Sequence, residues 1–311
     1  MKLSVVIPSY NESENISGTV ADVLSRIKSL VEKHEIIVVD DHSRDDTFAQ
    51  AASTKGVTMH CLRLSRRSGS HVAIRVGLAA ASGDAVLCIS ADGQDDPGVI
   101  GSMLEKWRSG AQIVWALRRD RNQESLRVKL FARAFYRLLG YFNKPENTEL
   151  DLSRADFYLL DRRVVDAIVS CGERITSLFG LIAWMGFRQE SVDYDRKPRR
   201  AGRSKWNFQQ RLGLALDWIV AFSWLPLRVS VMLGLVFASV GGIYAVFVVA
   251  NAFLGKPVEG WSSVMTAVLI LSGVQLLMLG AIGEYIGRGL EETRKRPIAF
   301  VEREVEIDEV S

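Results

Sequence analysis

Two stretches of this chain, Val229 to Gly255 and Trp261 to Gly283, contain no charged residue, and each exceeds the roughly 20 residues that span a bilayer core. A backbone in hydrocarbon must satisfy its own N–H and C=O groups, so such a run can fold only as a helix. The two read as transmembrane helices joined by a short link around Lys256, Pro257 and Glu259. Basic residues crowd the outer flanks, with Arg228 on one side and Arg288, Arg294, Lys295 and Arg296 on the other. Excess positive charge stays cytoplasmic, which makes this a hairpin with both termini in the cytoplasm. A buried helical pair in a soluble core is the alternative.

The rest of the chain is different. Of 311 residues 48% are hydrophobic and 24% charged, so apolar residues are concentrated in the hairpin and the remainder can be an ordinary folded domain. The first half alternates apolar runs (Leu3 to Ile7, Glu35 to Val39, Val57 to Leu64, Ala85 to Ile89, Gln112 to Ala116) with helical patterns near Glu14 to Glu32, Asp46 to Ser53 and Ser70 to Ala81. That alternation predicts an α/β domain with a mostly parallel, Rossmann-like sheet. The three cysteines, Cys61, Cys88 and Cys171, are odd in number and widely spaced, which argues for a reducing compartment and against a zinc site. Met1 leads directly into the first apolar run without the flanks of a signal peptide, so this domain is expected in the cytosol.

Parallel sheets bind ligands beyond the carboxyl ends of their strands. Three polar clusters directly follow apolar runs: Ser9 to Glu12, Asp40 to Thr47 and Ser90 to Asp96. The oxygen acceptors of the second suit base N–H or ribose hydroxyl groups, although Asp-Asp-x-Ser is also turn and cap chemistry. Carboxylates and an amide oxygen in the third are hard ligands for Mg2+ or Mn2+; an acidic turn capping the helix from Pro97 is the other reading. A basic stretch with no acid, Arg196, Lys197, Arg199, Arg200, Arg203, Lys205 and Arg211, precedes the hairpin and faces anionic lipid, a lipid phosphate or solvent. Trp206, Phe208, Leu212, Leu216, Ile219 and Phe222 recur at helical spacing as an interfacial helix. Leu126 to Phe142 is a second amphipathic segment, interfacial or core-packed.

The runs Ser4-Val5-Val6-Ile7-Pro8-Ser9-Tyr10-Asn11-Glu12, Val39-Asp40-Asp41-His42-Ser43-Arg44-Asp45-Asp46-Thr47 and Ala91-Asp92-Gly93-Gln94-Asp95 resemble family 2 glycosyltransferases. Asp156 to Val165, Ala201-Gly202-Arg203-Ser204-Lys205 and the hairpin narrow the resemblance to polyprenyl-phosphate glycosyltransferases, of the bactoprenol glucosyltransferase and dolichol-phosphate mannose synthase type. The resemblance implies a GT-A catalytic domain over residues 1–205, interfacial helices over 206–227, a membrane hairpin over 228–288 and a cytoplasmic tail over 289–311. It implies inverting transfer of glucose from UDP-glucose to undecaprenyl phosphate at the inner membrane; GDP-mannose, a UDP-aminosugar, or a membrane-tethered binder without turnover are the alternatives. Carried over by residue, Pro8, Tyr10, Glu12, Asp40 and Asp41 line the nucleotide pocket. Asp92, Gln94 and Asp95 meet a Mg2+ or Mn2+ ion and the diphosphate, Asp156 is the catalytic carboxylate, and Arg118, Arg200, Ser204 and Lys205 face the acceptor phosphate. No nucleic-acid partner is expected.

Three positions depart from the family pattern. Ser90 stands where Asp-x-Asp usually begins, Ala155 replaces a Gly, and Tyr158 replaces a common Arg. The first removes a carboxylate from the metal site; the other two alter what is expected to be the acceptor side. In the tail, Val301, Val305 and Ile307 alternate with Glu302, Glu304, Glu306 and Asp308, a strand pattern that needs a sheet edge. That edge can belong to its own domain or to a neighbour. Together with small residues Gly234, Gly241 and Gly242, the pattern leads to the expectation of a homo-oligomer in which tails cross between subunits; a disordered acidic tail is the alternative.

Overall fold

The computed structural model of the protein describes residues 1–54, 56–119, 154–172, 178–197, 225–254 and 260–307. The predicted apolar runs become strands β1 (Lys2–Ser9), β2 (Lys33–Asp40), β3 (Met59–Leu64), β4 (Ala85–Cys88) and β5 (Ile113–Arg118). Between them lie helices α1 (Ile16–Ile27), α2 (Thr47–Ala52), α3 (Ser70–Ala80) and α4 (Ile100–Arg108). Then follow β6 (Ala155–Asp161), α5 (Arg162–Ser170), α6 (Leu178–Trp184), β7 (Gln189–Tyr194), α7 (Leu225–Phe253), α8 (Trp261–Thr293) and β8 (Val301–Ile307).

All eight strands join one sheet in the order β7-β5-β6-β4-β1-β2-β3-β8. At its centre β1 runs parallel to β2 and β4, and β2 to β3, whereas β6 is antiparallel to β4 and β5. Successive side chains point to opposite faces, so β1 feeds two cores. Val5 and Ile7 pack with Val20 and Val23 of α1, while Val6 packs with Leu78 of α3 and Val165 of α5. Burial on both faces explains why the central strands read as unbroken apolar runs.

Helix α3 approaches the sheet closely at Gly77, where an added Cβ would run into Val6 Cγ1 and lie 3.1 Å from Val39 Cγ2. The interfacial segments expected over 126–142 and 206–222 lie outside the described residues. Helices α7 and α8 expose apolar side chains such as Leu235, Ile243, Phe247, Leu276 and Leu279, and Gly234 of α7 sits against Met278 of α8. Each is long and apolar enough to cross a membrane, the candidate spans being Ser230–Asn251 and Ile270–Thr293. The charge-free stretch Trp261 to Gly283 lies within α8, which continues unbroken past it to Thr293.

Strand β8 forms as its period-two pattern predicts, but it pairs antiparallel with β3 of its own chain, with Met59 opposite Ile307 and Leu62 opposite Glu304. The expected crossing to a neighbouring subunit is therefore replaced by closure within the chain. The physical reason is complementarity at an edge: β3 offers a row of backbone donors and acceptors, Val305 and Ile307 join the apolar core, and His60 Nε2 meets Glu304. The catalytic sheet is thus discontinuous in sequence, with its edge strand supplied from beyond the hairpin.

Gly77→Ala is expected to lower unfolding stability by about 1–3 kcal/mol through overpacking between α3 and the sheet. Denaturant unfolding of the purified protein checks this; a wild-type midpoint would show that the helix can back away.

Candidate active site

The three polar clusters lie at one edge of the sheet, because β1, β2 and β4 are parallel and end at Ser9, Asp40 and Cys88. Strand β6 runs the other way, so its first residues reach the same edge. Cys88 pairs with Tyr158, which sets the backbone of Asp156, two residues earlier, level with Ser90. In the β5–β6 ladder Ala116 pairs with Phe157 and Leu117 with Ala155, so Asp156 falls where the register shifts. Such bulges re-aim a strand beside an active site. Arg118 ends β5 at this edge, and its carbonyl accepts from Arg154 Nε at 2.6 Å.

The edge beyond β1 and β2 is built from buried carboxylates that the backbone has to satisfy. The Asp40 side chain has no exposed surface and pairs with Arg63 Nη1 at 2.8 Å, and the Ser43 N–H donates to it. Burial pushes its pKa upward from the ordinary carboxylate range; the hydrogen bonds from Ser43 and the Arg63 guanidinium pull against that. Burial raises Asp41 too, against the Ser68 and Gly69 N–H groups, which donate at 2.6 and 2.8 Å to its two oxygens. Asp41 therefore shapes the loop from Ser65 to Gly69, and Gly69 adopts φ 96° there. That loop lays the Arg67 guanidinium 4.3 Å from the centroid of the Tyr10 ring, a cation–π contact. Pro8 lies in β1 opposite Val39. Glu12 accepts from Asn15 Nδ2 at 2.7 Å, and its N–H donates to Thr47 Oγ1 at 2.8 Å. Ser43, Asp45 and Thr47 bond to the backbone of Asn11, Ser13 and Glu12, so much of the second cluster serves turn chemistry.

In the third cluster, Ser90 stands between two carboxylates. Its hydroxyl lies within hydrogen-bond reach of Asp92 Oδ1 (2.9 Å) and of Asp95 Oδ2, and its single proton serves one at a time. Asp92 Oδ1 also accepts from Gln94 N at 3.1 Å, across a turn in which Gly93 has φ 70°. Buried Asp95 accepts from Ser90 N at 2.9 Å and from the Tyr194 hydroxyl at 3.3 Å, so both its oxygens hold the loop in place. The capping role weighed for this turn falls to Asp96, which accepts from Gly98 N at 3.0 Å. These hard oxygens suit a divalent cation held chiefly at Asp92, since Mg2+ is commonly bound through one or two carboxylates plus substrate phosphates.

The same loop tethers the start of the basic stretch. Arg196 Nη2 donates to Gln94 Oε1 at 3.0 Å, Lys197 N to Gln94 O at 2.9 Å, and Lys197 Nζ pairs with Asp96 at 2.9 Å. Arg200, Ser204 and Lys205 lie outside the described residues. Tyr158, expected on the acceptor side, is instead fully buried against Trp115 and Phe179, because alternation in β6 turns it into the core. Ala155 packs against that same core. Sequence reasoning missed Arg63 and Arg67; their signal was a basic residue closing β3 and two in the loop after it. Cys61 and Cys88 are free, and burial pushes each thiol up to about 12.

Comparison with known proteins bears on this arrangement directly. The glycosyl transferase family 2 model matches residues 4–159, which carry all three strand-end clusters, and the GtrB C-terminal hairpin model matches residues 225–288. The chain belongs to glycosyl transferase family 2. An uncharacterized glycosyltransferase of Synechocystis sp. is 40% identical over 307 residues, covering 97% of this chain and 95% of that one. A prophage bactoprenol glucosyl transferase homolog of Escherichia coli is 36% identical over 309 residues, 97% and 99% of the two chains. The bactoprenol glucosyl transferase of Shigella phage SfV is 36% identical over 307 residues, 98% and 99% of the two. The protein is thus a glycosyltransferase whose family 2 domain and hairpin both have full-length counterparts.

Ser90→Ala removes the donor shared by Asp92 and Asp95, leaving two carboxylates close together. Loss of about 1–3 kcal/mol of stability is expected, read from denaturant unfolding without divalent ions. Unchanged stability would mean that the hydroxyl does not bridge the pair.

Proposed function

We propose that this glycosyltransferase moves glucose from UDP-glucose to undecaprenyl phosphate, with inversion, on the cytoplasmic side of the inner membrane. The observation that carries the reading is the meeting of the Asp92 turn with the basic stretch. The loop suited to a cation and a diphosphate is bonded through Gln94 and Asp96 to Arg196 and Lys197, at the head of a basic segment leading to the hairpin. Full-length similarity to bactoprenol glucosyl transferases supports the acceptor and the sugar.

The acceptor phosphate has a second pKa near about 6, by analogy with phosphorylated side chains, so at neutral pH it is mostly a dianion and a strong general base is not required. What remains for the protein is to align that oxygen behind the anomeric carbon and to stabilise charge on the departing diphosphate. Arg118, Arg200, Ser204 and Lys205 hold the acceptor phosphate, and Asp156 orients it or takes its residual proton. Tyr10 and the Asp40 turn line the nucleotide pocket. Asp92 would hold a Mg2+ or Mn2+ ion, which would supply Lewis-acid neutralisation of the diphosphate charge.

Radiolabelled sugar transfer in membranes tests the reading. Asp92→Asn and Asp156→Asn should each abolish transfer, with metal-dependent donor binding weakened in the first and near normal in the second. Replacing Arg200 and Lys205 by Ala should raise the KM for the lipid more than for the nucleotide sugar. Full activity in either aspartate variant, or a shift in donor KM alone, would refute the corresponding assignment.

The chain is also proposed to assemble as a homo-oligomer. Added side-chain carbons at Gly241 and Gly242 would meet nothing within 4 Å, which leaves room for close approach of helices from other copies. Light scattering in detergent should return a multiple of the 34.6 kDa chain mass; a monomer would refute assembly.

A further inference from the structure

Strand β8 does more than close the edge of the sheet, because two of its neighbouring contacts land on the walls of the nucleotide pocket. Arg63 of β3 is the hub of the first. Its Nη1 donates to Asp40 at 2.8 Å, its Nη2 to the Ser43 carbonyl at 2.9 Å, and its Nε to Glu302 of β8 at 3.3 Å. Three acceptors in three directions fix the plane of the guanidinium, a fork that Lys cannot reproduce. The turn it grips continues the chain of contacts, since Ser43 Oγ accepts from the N–H of Asn11 at 2.8 Å. Asn11 sits at φ 50°, in left-handed backbone that needs outside support, and it directly follows Tyr10.

The second contact acts on the opposite wall. The Phe300 carbonyl, one residue before β8, accepts from Ser65 N at 2.9 Å. Ser65 opens the loop that carries Arg67 over Tyr10 and whose Ser68 and Gly69 N–H groups bind Asp41. His42, at φ 58° between Asp41 and Ser43, also reaches toward the tail, with Nδ1 3.7 Å from Glu302 and 3.1 Å from the Leu64 carbonyl.

We propose that the strand following the membrane hairpin braces the donor pocket, with Arg63 and Glu302 as positioning residues that hold the Asp40–Ser43 turn and, through it, Tyr10. This rests on the pocket being the nucleotide-sugar site. It makes donor affinity depend on a segment that enters the domain only after α8, so that the membrane hairpin and the donor site are mechanically joined.

The test uses full-length protein in detergent, with UDP and GDP as calorimetric probes and donor and lipid KM from the transfer assay. Arg63→Ala is expected to weaken nucleoside-diphosphate binding about tenfold, Glu302→Ala about threefold, and Arg63→Lys by an intermediate factor. Donor KM should rise in step while lipid KM stays put. Glu306→Ala, on the same strand but exposed and directed at His60, should bind as wild type. Should Arg63→Ala fail to fold, Arg63→Lys and Glu302→Ala carry the test. Wild-type affinity in Arg63→Lys and Glu302→Ala, or an equal loss in Glu306→Ala, overturns the brace while leaving the donor reading intact. A wild-type chain that binds neither nucleotide overturns the donor reading and the brace with it.

Discussion

A carboxylate removed from water must be given partners, and at the carboxyl edge of this sheet that demand organises everything around it. Asp40 has no exposed side-chain surface, so Arg63 and the Ser43 N–H are obligatory neighbours. Asp41 claims the backbone of Ser68 and Gly69, and Asp95 claims Ser90 and Tyr194. Each pairing fixes a loop that would otherwise be free to wander, and together they give the edge its shape. Breaking one partner of a buried charge is far more damaging than never having had the pair. This edge of the sheet is therefore stiff where its carboxylates are most deeply buried.

The hairpin of apolar helices imposes a second constraint. A pair of apolar helices interrupts the chain between the body of the sheet and its last strand, yet α8 runs on past the apolar span to Thr293 and returns the tail to β3. Strand β3 thereby loses its open row of donors and acceptors, and the new edge, β8, carries Glu302, Glu304 and Glu306, charges that discourage further pairing. Extending the sheet with a segment from beyond the hairpin also joins the domain to the two apolar helices at both ends of the hairpin, before α7 and after α8.

Departures from the family pattern acquire physical meaning at the level of side-chain contact. Ser90 in place of a carboxylate gives the loop a hydrogen-bond donor between Asp92 and Asp95, where two negative groups would otherwise repel. Tyr158 in place of a basic residue is core packing, edge-on against Trp115 and Phe179. One departure lies among the carboxylates at the strand ends, and the other lies in the core.

Periodicity along the chain was enough to determine the strands β1 to β5, the helices between them, the two apolar helices and the strand character of residues 301–307, because each depends on neighbours a few positions apart. The three strand-end clusters were legible for the same reason: apolar runs predict where strands stop. Long-range pairing was not. That Asp41 and Asp95 hold loops, that Arg63 pairs with Asp40 and Arg67 lies over Tyr10, that Tyr158 faces the core, and that β8 pairs with its own β3 all depend on partners brought together by the fold. Composition shows that a buried carboxylate needs a donor; only the fold decides which donor arrives.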